Sequence, residues 1–349
     1  MSHRSALRAI DANGNRAAEG LRALEEVARF VLDDADAALA AKDLRHAVRS
    51  AVPAAAVADR DTANDVGIAG SSGEAARLGL PALVRANAAR VQEALRAAEE
   101  FCRIAGLGPA AATLEAARYR SYTLELRLLS RLPAWRLWQI RLYVLIDTAL
   151  TDRPVEVATA AVRGGAGAIQ LRAKALGVRA YHDLAARVAD ATRAAGALFV
   201  VNDHAAVARL VAADALHVGQ DDLTVAAARA VTGPLCAIGV SAHTPAQVAE
   251  AQREGADYLG LGPMHATATK PHEPERGPQL LDAVRATLVM PSYAIGGLDR
   301  ERVRALLPRL PHGIAVAAAI CRADDPERAT AELADLLERE DPLLVGSRR

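Results

Sequence analysis

Lysine is nearly absent from this chain. Of 42 basic residues only Lys42, Lys174 and Lys270 are lysine, and the rest are arginine. Neither sign of charge is in excess, with 42 acidic residues against the 42 basic ones in 349. The chain therefore lacks the basic surplus with which nucleic-acid and membrane-surface proteins attract their partners, and neither partner is expected. A small anionic substrate is not excluded, because a few local cations suffice to hold one. Cysteine is scarce and scattered: Cys102, Cys236 and Cys321 form no CxxC pair. They are expected to be small buried hydrophobes in a reducing compartment, not a disulfide frame or a zinc site. No apolar run is long enough to span a bilayer, and the opening MSHRSALRAI has no apolar core of signal-peptide length. A soluble, cytoplasmic protein is expected. Two nucleotide loops are missing as well. No GxxxxGK(S/T) occurs in residues 1–139 and no GxGxxG follows LYVLIDTAL. These absences exclude a P-loop in the first part and a dinucleotide fingerprint in the second.

What is present falls into two parts. Residues 1–133 show helical periodicity, with apolar residues at three- and four-residue spacing in AAEGLRALEEVARFVL and ARVQEALRAAEEFCRI. They also repeat at an offset of 74. Asn13, Arg16, Glu19, Leu21, Arg22, Glu25, Glu26 and Arg29 recur as Asn87, Arg90, Glu93, Leu95, Arg96, Glu99, Glu100 and Arg103. On a helix these polar residues advance about one turn at a time and form a stripe. Two readings stay open: solvated ion pairs on surface helices, or facing stripes lining a cleft. In the second, Arg60, Asp61, Asn64 and Asp65 of the loop-like DRDTANDVGIAGSSGE would join them. Residues 134–141, which hold both tryptophans, are expected to link this domain to the next, their aromatics packing one on the other.

From 142 to 340 short apolar runs alternate with amphipathic helices: LYVLID, AIQLR, LFVVND, ALHVG, CAIGVS, YLGLG, SYAIGG and GIAVAAAI. Eight continuous apolar strands separated by helices predict an α/β fold, a (β/α)8 TIM barrel preceded by an all-α domain. In such a barrel the active site stands at the C-terminal strand ends. Strand two ends in Gln170-Leu171-Arg172-Ala173-Lys174, strand three in Asn202-Asp203, and strand four in His217-Val218-Gly219-Gln220-Asp221-Asp222. Strand five ends in Ser241-Ala242-His243 and strand six runs into Gly262-Pro263-Met264-His265-Ala266-Thr267-Ala268-Thr269-Lys270. Strand seven ends in Gly296-Gly297 and strand eight in Ala317-Ala318-Ala319.

The chemistry at these ends is coherent. Arg172, Lys174 and Lys270 can surround a polyphosphate. Asp203 and Asp222 are hard oxygen donors suited to Mg2+. The glycine pair and the small residues after strand eight suit a phosphate bound by backbone N–H groups. Two of the three lysines fall at these ends, which points to a need for a compact ammonium in place of a guanidinium fork. Other polar residues carry plainer expectations. Asp221 and Asp299 read as helix N-caps, His217 as a satisfied core histidine, and His265 and His272 as solvated loop residues.

QLRAK, VVND, HVGQDD, GVSAHT, GLGPMHATATK and AIGG, in that order and spacing, make residues 140–335 resemble thiamine phosphate synthase. The resemblance implies a Mg2+-dependent coupling of hydroxymethylpyrimidine diphosphate to hydroxyethylthiazole phosphate, giving thiamine phosphate and pyrophosphate. It implies that Gln170, Arg172, Lys174, Asn202, Ser241 and Lys270 hold the pyrimidine diphosphate, with Leu171 and Ala173 in the same binding segment. Asp203 and Asp222 would bind the metal. Thr267, Ala268, Thr269, Gly296, Gly297, Ala317 and Ala318 would hold the thiazole phosphate, and Lys270, Ser241 and Arg172 would act in catalysis. The implied reaction is dissociative, with pyrophosphate leaving before the thiazole nitrogen captures the pyrimidinylmethyl cation. This chain departs from the family pattern at His265-Ala266, where an aromatic and a proline are usual. It departs again at Ala318, where a serine hydroxyl is common.

The helical part is similar to a domain fused to such synthases in some bacteria and associated with phosphorylation of hydroxymethylpyrimidine phosphate. That likeness rests on the repeat and on DRDTANDVG. Whether the part is a kinase, the dimerisation unit of a homo-oligomer, or both stays open here. Two other readings of the barrel are a thiazole tautomerase-like enzyme and a non-catalytic phospholigand sensor. Ser241 speaks against the first, since that group carries histidine there. The retained carboxylates and cations speak against the second.

Overall fold

Runs of alanine, leucine, arginine and glutamate, all strong helix formers, account for the first of two units into which the chain divides, residues 1–132 and 133–349. The computed structural model describes residues 3–58, 79–266 and 275–339. In the first unit these form α1 (His3–Phe30), α2 (Ala35–Ala51), α3 (Ala54–Ala58), α4 (Leu80–Ile104) and α5 (Gly108–Ser130). Helix α1 packs on α2 and α4, and α5 packs on both of those. The shared core includes Ile10, Leu21, Leu24, Leu44, Leu95 and Leu114, all fully buried. Asp34 caps α2 through the Ala37 N–H and takes Arg127 of α5 at 2.7 Å. That guanidinium, with the capping N–H, holds the Asp34 carboxyl below its usual range.

The polar stripe is not simply solvated. Glu25 and Glu99, equivalent in the repeat, are buried, and each receives arginines from its own helix and from the next one. Arg45 of α2 reaches Glu25 at 3.0 Å, and Arg118 of α5 reaches Glu99 at 3.2 Å. The repeat extends to detail: Asn13 and Asn87 each donate to the carbonyl four residues earlier, at 2.9 Å in both copies. A buried carboxylate without such partners would be costly, so the stripe is in part a packing device. Arg60, Asp61, Asn64 and Asp65 lie outside the described residues.

In the second unit the eight expected runs become β1 (Leu142–Asp147), β2 (Ala168–Arg172), β3 (Leu198–Asn202), β4 (Ala215–Val218), β5 (Ala237–Ala242), β6 (Tyr258–Leu261), β7 (Ser292–Ile295) and β8 (Gly313–Val316). They pair in parallel in sequence order and close, β8 against β1. Successive side chains of a strand point to opposite faces, so each strand feeds two cores. Val144, Ile146, Leu171, Val201 and Leu216 pack outward against the helices. Tyr143, Leu145, Ala168, Leu198, Val200 and Tyr258 pack inward. Leu137, in a 3-10 turn before β1, is fully buried in the same inner cluster. Its carbonyl accepts the Tyr293 hydroxyl at 2.8 Å and His312 Nε2 at 3.1 Å. Part of the expected linker thus seals the bottom of the barrel, and its Trp138 lies edge-on to His312.

All three cysteines are buried, free thiols, and burial pushes Cys236 up to about 12. Among the described residues no helix is long and apolar enough to cross a membrane.

The narrow interior alternates large with small. Tyr258 of β6 lies opposite Gly239 of β5 in register, and a Cβ added at Gly239 would fall inside the buried phenol ring. Gly239→Ala should therefore overpack the barrel by about 1–3 kcal/mol. At roughly 2–4 °C per kcal/mol for a domain of this size, calorimetry should show the barrel transition lowered by several degrees. An unchanged transition would mean that the ring moves aside without penalty.

Candidate active site

The inner stripe does not stop where the apolar core stops. Counting on by twos, Ala168 leads to Gln170 and Arg172, Val200 to Asn202, Ala215 to His217, and Ala237 to Ser241. The pleat that fills the barrel thus delivers five polar side chains to its upper mouth. They line a cavity of about 430 Å³ there. The same alternation turns Leu171 and Ala173 outward: their side chains are buried in the outer core, which leaves their backbone atoms as what they can offer a ligand.

Arg172 does not wait bare. Its Nη1 meets Oδ2 of Asp147, its register partner on β1, at 2.5 Å. Asp147 is almost wholly buried and also accepts the Ala149 N–H at 2.9 Å. Lys174 Nζ lies 3.1 Å from Asp203 Oδ2. Asp203 adopts a left-handed backbone, φ 63°, a conformation aspartate tolerates better than most residues. Its N–H donates to the His217 carbonyl at 2.9 Å. Asp222 accepts the Gly219 N–H at 2.7 Å. Burial, and then the neighbouring negative charge of Asp222, push the Asp203 carboxyl up against the pull of Lys174.

A carboxylate pushed up by a neighbouring carboxylate is relieved by a cation between them, so the pair fits Mg2+ by donor chemistry. Among the described residues no group of three or more His, Cys, Asp and Glu could hold a metal. A Mg2+ there would complete its shell from substrate oxygens and water, as this ion usually does.

Behind the rim lies a chain of hydroxyls and imidazole. His217 Nε2 shares a hydrogen bond with Ser241 Oγ at 3.0 Å, and its Nδ1 shares one with the Tyr258 hydroxyl at 3.3 Å. Tyr258 shares one in turn with Tyr143 at 3.2 Å. The histidine is satisfied, as expected, and it also fixes the serine. Gln170 differs: its side chain is buried and its Nε2 has no partner among the described residues. A buried amide N–H left unmade is expensive, and this one belongs to a cavity-lining residue.

The far wall is built from backbone. Gly296 and Gly297 both have positive φ, 105° and 61°. Side chains there would press on Pro263 Cβ at 2.6 Å and on the Ala266 carbonyl at 2.7 Å. Ala317 and Ala318 line the cavity where a short helix begins, and first-turn N–H groups have no partner inside a helix. Arg302 donates to the Gly297 carbonyl at 2.6 Å. The segment leaving β6 is tied back by Glu275, which accepts the Ala266 N–H and pairs with His265, both at 3.3 Å. His265 is therefore half-buried and paired, not merely solvated. Thr267, Ala268, Thr269, Lys270 and His272 lie outside the described residues.

Asp299 is a helix N-cap, accepting the Arg302 N–H at 2.9 Å. Asp221 is not: Thr224 caps the following helix instead, because the helix starts later than the acidic pair suggested. The sequence reading passed over Asp147 and Arg302. Asp147 had a usable signal, a charge closing the apolar run LYVLID. Arg302 sits a helical turn beyond its glycine and had none.

Comparison with known proteins agrees with this geometry. Residues 142–320 match the family described as Thiamine monophosphate synthase, and residues 8–127 match the ThiD2 family. A thiamine-phosphate synthase of Gloeobacter violaceus is 39% identical, over 95% of this chain and 97% of its own. One of Synechocystis sp. is 38% identical, over 96% and 97%. The solved thiamine phosphate pyrophosphorylase of Pyrococcus furiosus is 33% identical and covers 58% of this chain and 97% of its own, with a TM-score of 0.54. The chain belongs to the thiamine-phosphate synthase family, with a ThiD2-family segment preceding the barrel.

Proposed function

We propose that the barrel couples hydroxymethylpyrimidine diphosphate to hydroxyethylthiazole phosphate, and that the helical unit makes the diphosphate from the monophosphate. One observation carries the barrel assignment. A single cavity has cations and paired carboxylates along β2 to β4, backbone-lined turns at β7 and β8, and the unpartnered Gln170 amide in its wall. This suits two phosphorylated reactants of unequal charge.

In the coupling, the bond from the pyrimidine methylene carbon to the diphosphate oxygen breaks, and one from that carbon to the thiazole nitrogen forms. Charge gathers on the departing diphosphate, so contacts that strengthen as it leaves lower the barrier. Arg172 and Lys174 bind it by exchanging their resident carboxylates for phosphate oxygens. Asp203 and Asp222 would hold Mg2+, which supplies further neutralisation of the leaving group. Gln170 and Asn202 orient the pyrimidine end, and Ser241 meets it with a hydroxyl already aligned by His217. Gly297, Ala317 and Ala318 receive the thiazole phosphate together with Thr267, Ala268 and Thr269. Lys270 reaches the diphosphate from the same segment. Balanced charge and free buried cysteines support a cytoplasmic setting.

The kinase assignment rests on the ThiD2-family match and on the duplicated stripe. Without a P-loop, its nucleotide would be held by side-chain cations.

Asp203→Asn or Asp222→Asn should lower kcat for coupling by about a hundredfold, typical of a lost charge-stabilising contact. Near-normal turnover of either variant at limiting Mg2+ would refute the metal assignment. Lys270→Arg should also lose most of its kcat, with substrate affinity less affected, because a planar fork follows a separating anion less well than an ammonium. If kcat stays within about twofold of normal, a change well under 1 kcal/mol, charge alone suffices there. For the helical unit, the full chain with ATP, Mg2+ and the pyrimidine monophosphate should yield diphosphate by phosphorus NMR. Arg16→Ala and Arg90→Ala should abolish that product and spare coupling. Absence of diphosphate with either ATP or GTP would leave the helical unit a structural role only.

A further inference from the structure

The two copies of the repeat in the helical unit share a design but not a charge. Around Glu99 the pairing is saturated. Arg103 reaches Glu99 at 2.5 Å, Glu100 at 3.2 Å and Glu115 at 3.3 Å, while Arg96 and Arg118 complete the cluster at 3.0 Å and 3.2 Å. Three cations face three carboxylates.

Around Glu25 the balance fails. Arg22 turns mainly to Glu26, at 2.9 Å, and holds Glu25 only at 3.4 Å. Arg45 binds the other Glu25 oxygen at 3.0 Å. Arg29 stands where Arg103 stands in the second copy. Its nearest carboxylate among the described residues is Glu25 at 3.8 Å, beyond hydrogen-bonding distance. It lies instead over the exposed ring of Phe30.

The missing partner can be identified. On α5, Glu115 stands three residues before Arg118, and that position on α2, three before Arg45, is exposed Lys42. Residues three apart on a helix share a face. The carboxylate that neutralises the second cluster is thus replaced in the first by one of the chain's three lysines. Among the described residues three arginines, Arg22, Arg29 and Arg45, meet two carboxylates, Glu25 and Glu26, and Lys42 adds a fourth cation one turn before Arg45 on α2. Arginine and lysine together recognise phosphate oxygens by fork and by point charge.

We propose that the Glu25 cluster is an anion site for a phosphate or polyphosphate group, and that the Glu99 cluster is its self-neutralised structural twin. Glu25 holds the guanidinium groups in place, and the uncompensated charge of Arg29 and Lys42 receives the ligand. The proposal deepens the kinase reading by naming the copy that binds, but it concerns binding and needs no turnover.

Lysine scarcity makes the test direct. The full chain is acetylated briefly with and without inorganic pyrophosphate, and modification at each lysine is read by mass spectrometry. Lys42 reports on the helical unit and Lys174 and Lys270 on the barrel, so the two sites are separated in one digest. Lys42 should react about fivefold more slowly at near-saturating pyrophosphate, as expected from occupancy. Arg29→Gln should remove this protection and Arg103→Gln should keep it. Arg103 carries three ion pairs where Arg29 carries one long one, so Arg103→Gln is the harsher change for folding, and circular dichroism checks that both variants stay folded. By calorimetry, Lys42→Glu, which gives the first cluster the charge of the second, should reduce pyrophosphate sites from two per chain to one. Protection of the barrel lysines with none at Lys42, or equal effects of the two arginine variants, would overturn the proposal. Lys42 protection in a protein that makes no diphosphate would keep the site and reject the kinase. Diphosphate formation without Lys42 protection would do the reverse.

Discussion

In a closed parallel barrel every inward side chain is followed, two residues later, by another inward one. This constraint governs the whole second unit. Low in the barrel the inward positions carry tyrosine, leucine and alanine and make a core. High in the barrel the same columns carry glutamine, arginine, asparagine, histidine and serine and make a site. Nothing else is required to bring Gln170, Asn202 and Ser241 together from widely separated stretches of chain. The large inner residues set the height at which core becomes cavity. Tyr258, seated over Gly239, supplies the hydroxyl on which His217 rests, so the floor of the site is also its first hydrogen-bond donor or acceptor.

That alternation explains what could be read from the sequence. Strand number, closure and the identity of most strand-end residues follow from apolar runs of the right length separated by helices. A motif does not say which of its side chains face the cavity. QLRAK reads as five contiguous site residues, yet a strand can turn only every second side chain inward, and those of Leu171 and Ala173 belong to the outer core. Asp147 was passed over although it closes an apolar run with a charge, and register, which sets it beside Arg172, is what gives that charge its role. Arg302 was out of reach, since its contact with Gly297 depends on how a helix leaves its cap.

The helical unit follows a different logic. There the repeat was visible at once, but its meaning was not, because a charge stripe looks the same whether it faces water or a neighbouring helix. Burial of Glu25 and Glu99 decides the matter for the hub residues. Each copy converts a potential liability, a carboxylate in the interior, into a cross-link between two helices. Once such a hub exists, its periphery is open to divergence, because exposed positions such as Lys42 and Glu115 can change sign without disturbing the packing.

The bond between Arg172 and Asp147 bears on how activity losses at this site are to be interpreted. Both groups are largely withdrawn from water, at 14% and 3% exposure, and removing one member of such a pair strands the other as an uncompensated charge. A truncated Arg172 would therefore leave an anion beside the very place a polyanion must enter. The measured defect would combine a lost attraction with a newly exposed repulsion and a weakened barrel wall. A double-mutant cycle with Asp147→Asn isolates the coupling between the two groups from the rest of the defect.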